Sequence, residues 1–207
     1  MEKVESSPAI KVVNCLLNTL FPFYANWMSV SKLRRKIELI DGADDIPPSL
    51  QNEYPDIATI DNEPRLYQEF SATLERKEKL EEKAKSLVST TTIAVTIAFG
   101  ISGAVGNLYK FINVYWVRCI YSGLAVASLA YMLFGGLSSI RVFTSELQTF
   151  FPNKPNHKTL VANYQNAIIC NNLQNLIRNN YISTAYECIR NSLVLLFVIA
   201  TSLIMVA

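Results

Sequence analysis

The chain has 207 residues, half of them hydrophobic and only 17% charged, with a mean hydropathy of +0.20 and a formal net charge of +2. So small a net charge gives no footprint of a nucleic-acid binder by itself. The four cysteines, Cys15, Cys119, Cys170 and Cys188, are scattered with no C-x-x-C pair and read as buried single thiols. The class is decided by where the apolar residues fall: Ser86–Tyr109, Cys119–Ile140 and Asn191–Ala207 carry no charge over 24, 22 and 17 positions. A bilayer core about 30 Å thick needs roughly 20 apolar helical residues. The sequence therefore predicts an all-α membrane protein with three transmembrane helices.

Within residues 1–40, the stretch VVNCLLNTLFPFYANWMSVS lies uncharged between Lys11 and Lys32. Val12/Val13, Leu16/Leu17, Leu20/Phe21, Tyr24 and Trp27/Met28 recur at helical spacing and leave Asn14, Asn18 and Asn26 largely on another face. This predicts an amphipathic helix lying at the cytoplasmic surface, with its KLRRK run drawn to anionic lipid. A fourth membrane span is the alternative for the same stretch. Glu2 and Glu5 precede the apolar run and no A-x-A step follows it, so no cleavable signal is expected. Residues 41–61, rich in Asp, Asn and Pro, read as a linker.

Residues 62–86 read as a charged cytoplasmic helix. Asp61 or Asn62 caps it, and Glu63 and Pro64 occupy its first turn. Leu66/Tyr67, Phe70, Leu74, Leu80, Ala84 and Leu87 make a narrow apolar seam, with Glu75–Lys79 and Glu81–Lys85 as i,i+4 pairs outside it. A narrow seam on a charged helix seeks one partner helix. Nothing breaks the helix between Lys85 and Ser86. The charged half is thus expected to run straight into the first span, as one helix of about forty residues and about 60 Å.

Residues 87–140 then form a transmembrane hairpin, with Tyr109, Phe111, Tyr115 and Trp116 as an aromatic belt at its outer turn. Twelve Lys/Arg precede Ser86 and five lie from Arg141 to Arg190, against only Lys110 and Arg118 near the turn. The positive-inside rule places the N-terminal region and residues 141–189 in the cytoplasm. Along the first span Ser89, Thr92, Thr96, Gly100, Gly103 and Asn107 fall 3, 4, 4, 3 and 4 apart, one face of small and polar residues. Two uses compete for it. Small residues allow close helix approach, as Ser102-x-x-x-Gly106 and Gly123-x-x-x-Ala127 also would; or several copies line a watery path with the stripe. No charge falls inside the three windows, which argues against a proton relay or a coupled pump. Arg118 reads as a snorkelling anchor.

After a loop holding the only histidine, His157, an Asn-rich helix is expected. Leu160, Tyr164, Ala167/Ile168, Leu173, Leu176/Ile177 and Tyr181 form its apolar face, and Asn163, Asn166, Asn171, Asn172, Asn175, Asn179 and Asn180 fill much of the remainder. It runs unbroken into the last span, residues 190–207, and is the candidate partner for the charged helix. Together they would make a cytoplasmic bundle of two parallel stalks. There is no Gly-rich phosphate loop, no G-x-S-x-G, no H-E-x-x-H and no acidic pair near a histidine or cysteine. No enzyme, cofactor or metal site is expected.

The stretch LYQEFSATLERKEKLEEKAKSLVSTTTIAVTIAFGIS, with its charged helix leading directly into a hairpin, and NLIRNNYISTAYECIRNSLVLLFVIA further on resemble SLATT-type membrane effectors of antiphage defence. The likeness covers roughly residues 62–207, and within that group it points to the channel component of a Hailong-like pair. It implies a homo-oligomer in the lipid of the bacterial inner membrane, gated by a nucleotide or DNA oligomer from a partner nucleotidyltransferase. Arg76, Lys77, Lys79 and Lys83 would then meet phosphates, and Asn171, Asn172 and Asn175, with Arg178, the rest of the ligand. The competing reading of the asparagines is an interhelical hydrogen-bonding surface. For the whole chain the alternative is a non-conducting membrane anchor that recruits a cytoplasmic partner protein.

Overall fold

The computed structural model describes the backbone of residues 18–40, 46–108, 115–144 and 157–206, and the side chains of residues 18–40, 46–100, 115–144 and 160–202. Among the described residues the fold is carried by α1 (Pro22–Ile40), α2 (Pro48–Gln51), α3 (Pro55–Ala58), α4 (Glu63–Leu108), α5 (Tyr115–Arg141) and α6 (His157–Val206), with residues 18–20 helical ahead of α1. No strand occurs among the described residues. Two helices are long and apolar enough to cross a membrane, one within Tyr115–Thr144 and one within Leu160–Ser202. The first predicted span makes up the second half of α4, and its end lies outside the described side chains.

The junction of charged and apolar sequence is helical throughout. α4 runs for 46 residues and α6 for 50 without a break, as expected where no Pro or Gly interrupts the i→i−4 ladder at the junction. At the amino terminus the helical stretch is broken at one point. Residues 18–20 are helical, Phe21 is not, and α1 starts afresh at Pro22, because proline at a first helical turn lacks only an N–H that would be orphaned anyway. Contacts within the chain leave the apolar side chains of this region uncovered. Asn26 is buried, whereas Leu20, Phe21, Tyr24, Trp27 and Met28 are exposed. Residues 1–17 lie outside the described residues.

The contacts divide the chain into two units. The first comprises residues 27–84 and 141–182. Here the seam of α4 finds the partner expected for it. Leu66 and Phe70 pack with Val161, Tyr164, Ala167 and Ile168 of α6, and Phe70 meets the Tyr164 ring edge-on at 5.8 Å. Burying each large side chain contributes roughly 1.5–3 kcal/mol. Tyr67 does not join the seam and is exposed, and Thr73 takes a buried place instead. The contacts ascend together in both helices, so the two run parallel. The stretch read as a linker is also packed. Ile46 and Leu50 join Ile40, Ile169, Cys170 and Leu173 in a second cluster. Gln165 Nε2 donates to the Ala58 and Ile60 carbonyls, fixing the approach to α4.

The second unit comprises residues 1–26, 85–140 and 183–207. α5 runs antiparallel to α4 and α6. Met132 packs with Ala94, Ala98 and Leu196, and Ser128 and Ser192 exchange hydroxyl-to-carbonyl hydrogen bonds of 3.2 and 2.9 Å. Close approach comes at a glycine not singled out in the sequence. A Cβ on Gly135 would lie 3.3 Å from Cys188 Cβ and 3.4 Å from the Ala185 carbonyl, whereas one on Gly123 would meet nothing within 4 Å. This alignment sets Ala185–Ile189 beside Gly135, within the uncharged stretch of α5. Glu187 and Arg190 of α6 therefore stand level with α5 residues that carry no charge. The third charge-free window begins about two and a half to three turns too late to be level with the second.

Candidate functional site

Two helices present the same spacing to one another in the first unit. Arg76, Lys79, Leu80 and Lys83 fall at i, i+3, i+4 and i+7 on α4, and Asn172, Asn175, Leu176 and Asn179 repeat that spacing on α6. Residues so spaced share a helix face. Here the two faces and Tyr54, just before α3, line one cavity of about 520 Å³. The long stems and the two leucines form its apolar surface, while the guanidinium, the two ammonium groups and three carboxamides supply the polar contacts.

The cations differ in what already holds them. Arg76 Nη1 donates to Asn172 Oδ1 at 3.1 Å across the cavity. Lys79 Nζ sits 2.6 Å from Glu75, and this hydrogen-bonded pair raises the lysine and lowers the glutamate from their ordinary values. Lys83 joins no ion pair among the described residues. Burial raises the Tyr54 phenol, with neighbouring Glu53 acting in the same direction and Lys36 opposing. The phenol therefore stays protonated and able to donate at neutral pH.

Beneath the cavity lies a buried polar ladder. Asn171 Nδ2 donates to Thr73 Oγ1 at 3.2 Å, and Asn175 Nδ2 donates to the Thr73 carbonyl at 2.9 Å. Asn175 Oδ1 accepts from Arg178 Nη1 at 3.0 Å. Arg178 and Asn171 are wholly buried, and Glu81 acts on Arg178 as countercharge. A guanidinium taken out of water is costly unless acceptors meet it, and Asn175 Oδ1 supplies one of them.

Of the residues predicted to meet a nucleotide, the structure brings Arg76, Lys79, Lys83, Asn172 and Asn175 together around one cavity. It places three elsewhere. Asn171 and Arg178 are committed to the ladder between the helices, the interhelical use the sequence also allowed. Lys77 pairs with Glu81 at 3.6 Å and does not line the cavity. Tyr54 and Asn179 line it without having been predicted. Asn179 was reachable, since it lies four residues beyond Asn175 on the same face. Tyr54 was not, because its position depends on the packing of the 46–60 segment.

No family model, no curated protein and no solved structure matches the chain.

The stripe on α4 is distinct from this site. Ser89, Thr92, Thr96 and Gly100 are all exposed, while Ala84, Leu87, Thr91, Ala94 and Ala98 take the buried face. Contacts within one chain therefore do not use the stripe, and a Cβ on Gly100 would meet nothing within 4 Å. Its hydroxyls bond back to their own helix: Ser89 to the Lys85 carbonyl at 3.2 Å, Thr92 to Val88 and Thr96 to Thr92, both at 3.0 Å. The side chains of Gly103 and Asn107 lie outside the described residues.

Proposed function

We propose that the chain is a homo-oligomeric transmembrane effector of the bacterial inner membrane, in which a nucleotide or oligonucleotide held between α4 and α6 controls a path through the lipid. The observation that carries this is the cavity itself. Three cations from α4 face three asparagines from α6 across about 520 Å³, and both helices continue without a break into apolar sequence. Arg and Lys supply charge-assisted contacts for phosphate, and carboxamides can pair with the donor–acceptor edges of a base. Three membrane spans, α5 with the apolar ends of α4 and α6, complete the reading. The likeness to SLATT-type effectors makes nucleotides and short DNA oligomers the first probes to try.

Copies would meet along the exposed stripe of α4, since intrachain packing leaves it free. Calorimetric titration of the purified protein with nucleotides and short DNA oligomers, followed by ion flux from liposomes, tests the reading. Lys83→Gln and Arg76→Gln should each weaken binding by about tenfold, the value of one charge-assisted contact. Flux that ignores every nucleotide while binding persists would remove the gating claim. Absence of binding would remove the ligand.

One observation favours the second reading, a non-conducting anchor for a partner protein. The stripe's hydroxyls are satisfied by their own backbone, which suits a dry interface as well as a wet one. Replacing Thr92 and Thr96 together with Leu separates the two. A conducting stripe loses flux while assembly survives, whereas a packing stripe loses assembly.

A further inference from the structure

A second cavity, of about 260 Å³, is lined by Arg34, Ile37 and Glu38 of α1, by Arg141 and Thr144 at the end of α5, and by Gln174, Ile177 and Tyr181 of α6. Its polar groups are of two kinds. Arg34 and Arg141 come from different helices and join no ion pair among the described residues. Opposite in character are two acceptors, the Glu38 carboxylate and Gln174 Oε1, the latter buried with no hydrogen-bond partner. Glu38 joins no ion pair there either. The cavity thus offers fork-shaped cationic donors on one hand and unmet acceptors on the other.

Its position narrows the ligand. Arg141 directly follows the uncharged stretch that ends at Ile140, where a membrane helix emerges at the headgroups. Seven residues before Arg34, and so on the same face of α1, Trp27 is 67% exposed, a side chain suited to the interface. We propose that this cavity binds the headgroup of a phospholipid whose phosphodiester lies between Arg34 and Arg141, and whose alcohol carries a hydrogen-bond donor, a hydroxyl or a primary ammonium, for Glu38 and Gln174. Paired guanidinium groups suit phosphate oxygens. The acceptors select against choline, which has the phosphate but no donor.

This rests on the reading that α5 crosses the membrane, and resistance of the full-length protein to carbonate extraction reads that separately. Native mass spectrometry after gentle extraction from vesicles of phosphatidylcholine with phosphatidylglycerol or phosphatidylethanolamine tests the site. Donor-bearing lipid should be retained over phosphatidylcholine by about tenfold. Arg34→Gln and Arg141→Gln should abolish retention of any lipid. Gln174→Met should keep retention and reduce the preference. Lys32→Gln and Arg35→Gln, which remove equal charge nearby, should change nothing. Equal loss in those controls would mean diffuse surface attraction and overturn the site, as would equal retention of phosphatidylcholine. If millimolar inorganic phosphate strips the lipid as completely as Arg141→Gln, the ligand is free phosphate and the lipid assignment falls.

Discussion

Asn175 links two interactions of unequal value, and its removal gives a measurable asymmetry. In Asn175→Ala the Thr73 carbonyl loses the 2.9 Å bond from Nδ2 but keeps its own helical N–H partner, a loss of about 1 kcal/mol. Arg178, wholly buried, loses the 3.0 Å acceptor on its Nη1, and a hydrogen bond to a buried charge contributes about 1.5–3 kcal/mol. The single variant should therefore lose about 2.5–4 kcal/mol. Arg178→Met, which swaps the buried cation for an apolar chain, should cost less, because the desolvation penalty of the charge goes with it. In the double variant no charge is left short of an acceptor. It should be more stable than the sum of the singles by about 1.5–3 kcal/mol. Denaturant unfolding of the purified protein in micelles, followed by far-ultraviolet circular dichroism, measures all three. Additivity to within about 0.5 kcal/mol would show that the ladder does not hold the buried charge and would refute the reasoning.

Glycine positions on α5 should divide sharply. Gly135→Leu should lose about 1–3 kcal/mol by overpacking against Cys188 and Ile189, while Gly123→Ala, facing open space, should gain about 0.5–1 kcal/mol; the same unfolding assay reads both. Each hydroxyl of the buried Ser128–Ser192 pair donates to the other serine's backbone carbonyl, which an alanine keeps, so Ser128→Ala and Ser192→Ala should each cost about 1 kcal/mol and the double close to their sum; a thermal-shift comparison of the singles and the double checks it. The Tyr54 phenol is raised from 10.0 by burial, so its contribution is complete below the unfolded value and declines as pH climbs through the folded one. Tyr54→Phe should flatten the alkaline limb of a stability–pH profile and leave the neutral region unchanged.

Much of the helical plan was readable because it depends on local properties. The absence of a breaker between Lys85 and Ser86 made α4 continuous, and the narrow seam with its search for one partner anticipated the pairing with α6. Five of the eight residues assigned to a ligand do converge on one cavity, for the same reason: spacing puts them on one face. What the pattern could not supply was depth. Asn171 and Asn172 are neighbours of one residue type, yet one is wholly buried and the other lines the cavity. Only the direction from which Thr73 approaches decides between them. The segment around Ile46 and Leu50 looked like a linker because a few buried residues among prolines carry no period. Around the start of α1, the periodicity picks out the apolar stripe, and contacts within the chain leave it uncovered. Asn26 turns to the protein and Trp27 away.

The parallel pairing of α4 and α6 also sets an order of events during synthesis. Thr73 meets Asn171 across 98 residues of chain and Arg76 meets Asn172 across 96. At roughly 5–20 residues per second, a ribosome needs about 5–20 s to supply the second partner once the first has emerged. Through that interval Leu66, Phe70 and Thr73 stand without the surface that will cover them. Closing so long a loop is slow by nature, and the half-made chain is at its most vulnerable to aggregation and proteolysis while it waits. A chain truncated before His157 would never leave that state.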